Sequence, residues 1–182
     1  GWTLIQQSSS GDYILGGSTL GVGGGWSYGF ITKIDTNGNQ IWKKNINGID
    51  QGLGYEVSSD IRSIIELDDG NFVLTGTLLE DQVYIDKVLI AKFDSNGNFI
   101  WINTVELDVN NVSSVNTYSV GYSIKEALDG GFIISALSGE NNWDIDRFLY
   151  LIKTDAYGNQ QWIQNYSEAT ISTVGWNSSM LD

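Results

Sequence analysis

The chain contains no cysteine, no histidine and no proline. Without cysteine there are no disulfides and no thiolate metal sites. Without histidine there is no Ser-His-Asp or Cys-His triad, no imidazole metal ligand, and the commonest general base is missing. Cationic side chains are scarce: nine Lys and Arg stand against 22 Asp and Glu, a formal net charge of −13. So acidic a surface repels phosphate backbones and anionic membranes, which argues against nucleic acid and against membrane insertion. No apolar run approaches the roughly 18 residues of a membrane-spanning helix. The charge suits solubility, or a surface that binds cations or sugars.

What is present points to a folded β protein. The 182 residues are 41% hydrophobic, enough for one domain with a real core. Glycine is abundant, at 22 residues, and aromatic residues make up 12%. Together with the missing proline this predicts many short strands joined by tight turns.

The strongest signal is a repeat. Lys33-Ile-Asp-Thr-Asn-Gly-Asn-Gln-Ile-Trp42 returns as Lys92-Phe-Asp-Ser-Asn-Gly-Asn-Phe-Ile-Trp101 and as Lys153-Thr-Asp-Ala-Tyr-Gly-Asn-Gln-Gln-Trp162. The tryptophans lie 59 and 61 residues apart (101 − 42 and 162 − 101). A fixed period of this size marks a repeat architecture. Each copy opens with an alternating run, as in Arg62–Leu67 and Tyr122–Leu128. A Gly- and Asp-bearing turn follows, as in Asp68-Asp-Gly-Asn71. A more apolar run comes next, as in Phe72–Thr77 and Phe132–Leu137. Small residues in that run (Gly16, Gly17, Gly76, Ala136) would let a neighbouring sheet approach closely. Polar loops at 19–28, 78–86 and 138–147 lead to a third strand. The Asp-x-x-Gly-Asn turn then reverses the chain into a fourth, which carries the tryptophan. Further linkers span about 46–60 and 105–120, and helical periodicity is missing throughout.

Four antiparallel strands per repeat without helices predict an all-β fold, a β-propeller of three four-stranded antiparallel blades. A sandwich gives no reason for a threefold repeat, and a solenoid coil is usually shorter. The blades are expected at about 1–60, 61–120 and 121–174, with a fourth repeat starting at 175–182. Three blades are too few to close. The expectation is therefore a segment of a larger propeller, its faces (Ile14, Val73, Ile133, Leu149) covered by further blades of the same chain or by self-association.

The string DGGFIISA … FLYLIKTDAYGNQQW resembles the roughly 60-residue propeller repeats of secreted and surface proteins of bacteria and archaea. The Asp-x-x-Gly-x-x-x-Trp core is also similar to the tryptophan-docking motif of quinoprotein-type propellers, one residue shorter between Asp and Trp. The resemblance spans all three copies and implies architecture and an extracellular or cell-surface setting. It carries over no cofactor site.

Several residues are candidates for chemistry. Asp35, Asp94 and Asp155, followed by Asn37, Asn39, Asn96, Asn98 and Asn159, place oxygens at alternate positions as a Ca²⁺ loop does. The glycines Gly38, Gly97 and Gly158 stand at the fourth position rather than the sixth, and no bidentate Glu follows. A hairpin turn capped by its Asp explains the same pattern, and no cofactor is required. Lys33, Lys92 and Lys153 precede these aspartates by two residues, which predicts a structural Lys–Asp pair binding turn carbonyls. Trp42, Trp101 and Trp162 are expected as buried wedges between blades.

The long loops share one end of the blades. They gather Trp26, Tyr28, Tyr84, Asp86, Trp143, Asp144 and Asp146, a mixture of rings and carboxylates suited to sugar recognition. Asn111, Asn165 and Asn177 match the glycosylation pattern. The leading expectation is a non-catalytic binding or scaffolding propeller that takes a glycan or a surface protein. The alternatives are a glycan-active enzyme using paired loop carboxylates such as Asp144 and Asp146, and a structural unit of a surface filament or layer.

Overall fold

A computed structural model of the chain describes residues 3–20, 27–47, 52–53, 56–80, 85–107, 117–140 and 148–166. These residues form three four-stranded antiparallel sheets, and no helix occurs among them. Sheet 1 holds β1 (Thr3–Gln7), β2 (Tyr13–Leu20), β3 (Ser27–Ile34) and β4 (Gln40–Ile46). Sheet 2 holds β5 (Val57–Glu66), β6 (Phe72–Glu80), β7 (Ile85–Phe93) and β8 (Phe99–Val105). Sheet 3 holds β9 (Thr117–Glu126), β10 (Phe132–Glu140), β11 (Phe148–Thr154) and β12 (Gln160–Asn165). Each sheet is a simple meander, every strand paired with its sequence neighbours.

The six tight turns among the described residues share one construction. A backbone N–H reaches the carbonyl four residues on, and the glycine N–H returns to the first residue's carbonyl, as in Asp94 N to Asn98 O (2.8 Å) and Gly97 N to Asp94 O (2.9 Å). The six turn glycines all have positive φ. This is a type I turn closed by a left-handed residue, which glycine adopts without strain.

The sheets stack in chain order. β5 lies across β1, β2 and β3, and β9 lies across β5, β6 and β7. Between sheets 1 and 2, Ile14, Ile31 and Ile46 meet Ile61, Ile64, Phe72, Leu74, Leu89 and Phe93. Between sheets 2 and 3, Val73, Val88, Ile90 and Val105 meet Ile124, Phe132, Ile134 and Ile152. Sheet 2 is covered on both faces, so Phe72–Leu78 of β6 and Val88–Ala91 of β7 are buried without alternation. Each fully buried Ile, Leu or Phe contributes roughly 1.5–3 kcal/mol of transfer free energy. These two seams therefore dominate the stability.

Three expectations change. The strands run further than the apolar patterns do: Thr19, Tyr28, Leu78, Asp86 and Ser138 belong to strands, not loops, and β5 starts at Val57 inside the expected linker. Backbone pairing continues wherever both strands supply partners, whatever the side chain, as at Thr19 with Tyr28 and Leu79 with Asp86. Gly76 admits its own sheet rather than a neighbour. A Cβ there would overlap the Asp60 carbonyl oxygen, where β5 bulges between Ile61 and Ser63. Gly16 does behave as expected, since its Cβ would meet Ile64 and Ile61 of sheet 2.

The third change concerns the lysines. Lys33, Lys92 and Lys153 pair not with the aspartate two residues on but with one in the neighbouring hairpin: Asp12 (3.2 Å), Asp69 (3.6 Å) and Asp129 (2.7 Å). The two turns lie at the same end of the meander, so this aspartate is nearer in space though distant in sequence. Lys153 Nζ also donates at 2.7 Å to the carbonyl of Thr154, the last residue of β11. In sheet 1 the carboxylate has moved: Ser10 holds the position of Asp69 and Asp129, Asp12 supplies the charge instead, and Ser10 Oγ donates to it at 2.8 Å.

Candidate functional site

At the turn end, Asp35, Asp94 and Asp155 cap their hairpins identically. In the second copy Asp94 Oδ1 accepts from the backbone N–H of Asn96 (2.9 Å) and Asn98 (2.7 Å), while Oδ2 accepts from Asn98 Nδ2 (2.9 Å). The Asp35 and Asp155 loops repeat this pattern, Tyr157 supplying the N–H in the last. Both carboxylate oxygens are thus held by N–H donors, which gives the turn-cap reading of these residues its geometry. Among the described residues, no three acidic side chains are grouped as a cation would need.

Those donors hold the three carboxyls below the usual carboxylate range, the Asn side-chain bond being the largest cause in each. Lys153 does the same for Asp129. A carboxylate with a depressed folded pKa stabilises above its unfolded value, near pH 4, and loses that contribution as pH falls through the folded value. The melting temperature should accordingly fall steadily on acidification below about pH 4; a melt as stable at pH 2.5 as at pH 4 would remove these caps from the account.

At the loop end, Trp26, Tyr84, Trp143, Asp144 and Asp146 lie outside the described residues, as do Asn111 and Asn177. Asn165 ends β12, half-buried and opposite Tyr150. Two of the seven ring and carboxylate candidates can be located. Tyr28, near the start of β3, is half-buried and donates its hydroxyl to Glu56 Oε2 at 3.2 Å. Beside it, Ser58 and Ser59 on β5 accept the backbone N–H of Ser27 (3.0 Å) and Gly29 (2.8 Å). This end of sheet 1 is therefore fixed against sheet 2, and the Tyr28 ring is held in place by a carboxylate from the adjoining linker.

Asp86 occupies the corresponding end of β7. Burial pushes its carboxyl up to about 6. Below about pH 3 it is neutral in folded and unfolded chains alike. Between about pH 4 and 6 the unfolded chain ionises first, so its stabilising contribution is lost as pH rises. Asp86→Asn should therefore change stability little at pH 4 and raise it at pH 7.5, by about 2 kcal/mol after allowance for partial exposure. A denaturant titration at the two pH values measures this, and equal effects at both would contradict the burial of an ionised group.

At the sheet junctions the tryptophans dock on the following sheet. The Trp42 ring lies 6.3 Å from the Phe72 ring, and Trp101 lies 6.3 Å from Phe132. Each indole also covers a turn glycine. A Cβ on Gly97 would stand 2.8 Å from Trp42, and one on Gly158 would stand 2.6 Å from Trp101. Asn103 Nδ2 adds a bond to the Tyr157 carbonyl at 2.8 Å across the second junction. The three tryptophans are not equivalent in burial as expected. Trp42 and Trp101 are half-buried, while Trp162 is 44% exposed: among the described residues, a Phe and a glycine of a following sheet cover the first two rings only.

The β5–β9 contact adds a polar cluster that the repeat motif does not announce. Arg62 Nη2 pairs with Asp60 Oδ2 at 2.7 Å, and the guanidinium stands 5.7 Å from the Tyr122 ring centre. Tyr118 and Tyr122 bring their hydroxyls to 3.5 Å. Arg62 and Tyr122 sit at corresponding bulges in β5 and β9, and a bulge re-aims its side chain. The sequence signal is a change of parity: Val57, Ser59 and Ile61 point inward, then Ile64 does.

No protein-family model matches the chain, and no curated protein sequence matches it.

Proposed function

We propose that the chain is a non-catalytic scaffolding and binding module, its three sheets serving as blades of a β-propeller in an extracellular or cell-surface protein. The observation that carries this reading is the repeated docking of Trp42 on Phe72 and Gly97 and of Trp101 on Phe132 and Gly158. One rule joins each sheet to the next, as a radial array of blades requires. The motif that supplies both tryptophan and glycine is the one that resembles secreted and surface repeats.

In such an array the turn end is closed by Lys–Asp pairs and Asp caps, and the loop end is left for recognition. Tyr28, held by Glu56 at that end, supports a carbohydrate as the ligand: a ring stacks on the apolar face of a sugar, and a carboxylate accepts from its hydroxyls. A glycan array probed with the intact chain tests the binding part. Retention of one or more glycans, lost on Tyr28→Ala and unaltered chemically after prolonged incubation, is the expected result. Binding that survives Tyr28→Ala would move the site elsewhere, and release of cleaved sugar would replace a binding module by an enzyme.

A further inference from the structure

The three sheets carry the same two faces, so each position can be compared with its counterparts. On the face turned toward the following sheet, Ile46 is buried in sheet 1 and Val105 in sheet 2. Tyr166, their counterpart four residues after Trp162, is 56% exposed. Likewise Val88 is buried under sheet 3, whereas its counterpart Leu149 is 44% exposed. Trp162 completes this uncovered face.

The face turned toward the preceding sheet shows the reverse at the other end. Phe72 and Phe132 are buried beneath the tryptophan of the sheet before, while Tyr13, which begins β2 as they begin β6 and β10, is half-buried. Leu74 and Ile134 are buried; Leu15 is half-buried. Gly97 and Gly158 lie under indole rings, but among the described residues no atom lies within 4 Å of a Cβ built on Gly38. The described residues thus hold three tryptophan knobs and three glycine-and-ring sockets, with two of each engaged.

We infer that the uncovered face of sheet 3 docks on the uncovered face of sheet 1 in a second copy of this chain, Trp162 seating on Gly38 and Tyr13. The inference rests on the reading of the sheets as blades. Its warrant is continuity with the two junctions already formed: the unfilled socket is built from the same turn and the same ring position as the filled ones. An amide side chain stands at the matching position as well. Gln164 holds the register position of Asn103, two residues beyond the tryptophan; its Nε2 donates to the Asn165 carbonyl at 3.2 Å and would exchange that bond for the Asn37 carbonyl, counterpart of that of Tyr157, on docking. The contact is head to tail, so each copy offers a knob at one end and a socket at the other, and such contacts build a ring or a chain of copies. Because each copy carries a formal charge of −13, added salt should strengthen the association.

Sedimentation velocity on the 182-residue chain over a concentration series, in moderate salt, tests this. Wild type should associate reversibly. Trp162→Ala removes the knob; Gly38→Asn fills the socket with a residue that tolerates positive φ. Each should weaken association at least about tenfold, as expected of a central aromatic anchor. Gly130→Asn, at another positive-φ glycine with no described atom within 4 Å, should leave association unchanged. The decisive arm mixes the two variants. Trp162→Ala keeps its socket and Gly38→Asn keeps its knob, so the mixture should form a 1:1 complex that neither forms alone. A wild-type monomer at every concentration, association insensitive to either substitution, or a mixture that stays monomeric would each overturn the inference. A monomer whose Trp42 and Trp101 junctions still stabilise it would leave the blade reading standing, so the two failures are separable.

Discussion

Trp101→Ala should cost about 3 kcal/mol of unfolding free energy, whereas Trp162→Ala should cost less than about 1 kcal/mol. The two residues hold the same place in their repeats and differ only in what lies against them. Trp101 rests on Phe132 and on the glycine of the next turn, and its packing extends into the apolar seam between sheets 2 and 3. Its removal opens a gap that the rigid turn at Gly158 cannot close, so a cavity cost adds to the lost transfer free energy. Half-burial places the effect at the lower end of the range for large aromatic truncations. Trp162 is 44% exposed and leaves little behind. Urea titrations of dilute protein measure both, and equal losses would mean that burial by the following sheet is not what stabilises the tryptophan.

Gly76→Ala should be at least as damaging, at about 3 kcal/mol. The methyl group would overlap the Asp60 carbonyl oxygen, which is backbone in a paired strand and cannot rotate away. Relief requires β5 and β6 to part at the bulge, with loss of ladder bonds and of the packing of Ile61 beneath them. Gly130→Ala is the informative comparison. It too is a glycine substitution, at a turn with φ of 76°, but no described atom lies within 4 Å of its Cβ position, so only backbone strain is charged. That substitution should cost about 1 kcal/mol. If the two variants melt alike, the close approach at Gly76 is relieved cheaply and the bulge is softer than the geometry implies.

Strand count, meander order and turn positions were legible in the repeat itself, because turn chemistry is local. Asp94, Gly97 and Asn98 make their bonds within five residues, and the motif spells them out. Whatever depends on a partner from elsewhere was not legible. Lys92 stands two residues from Asp94 in the chain but meets Asp69, because a meander brings together two turns that the sequence holds apart. Trp162 looks identical to Trp101 in the motif; among the described residues, what distinguishes them is that a following sheet lies against Trp101 alone. Arg62 and Tyr122 carry no motif of their own. A bulge changes which side of a strand a residue takes, and that shift shows only as a break in alternation. At the loop end the residue types pointed to sugar recognition, yet composition gives no geometry, and within that set the hydrogen bond of Tyr28 to Glu56 is what fixes a ring in place.

Trp42 and Trp101 each dock on the following sheet, and a double-mutant cycle between Trp101 and Phe132 probes that contact itself. The four proteins are wild type, Trp101→Ala, Phe132→Ala and the double variant, each measured by denaturant unfolding, with Trp42 and Phe132 as a pair from separate junctions. A coupling of about 1 kcal/mol for Trp101 with Phe132, and none beyond error for Trp42 with Phe132, is the predicted result for one direct aromatic contact. Additive losses at Trp101 and Phe132 would contradict it, because two rings that stabilise the fold independently are not a knob and its socket.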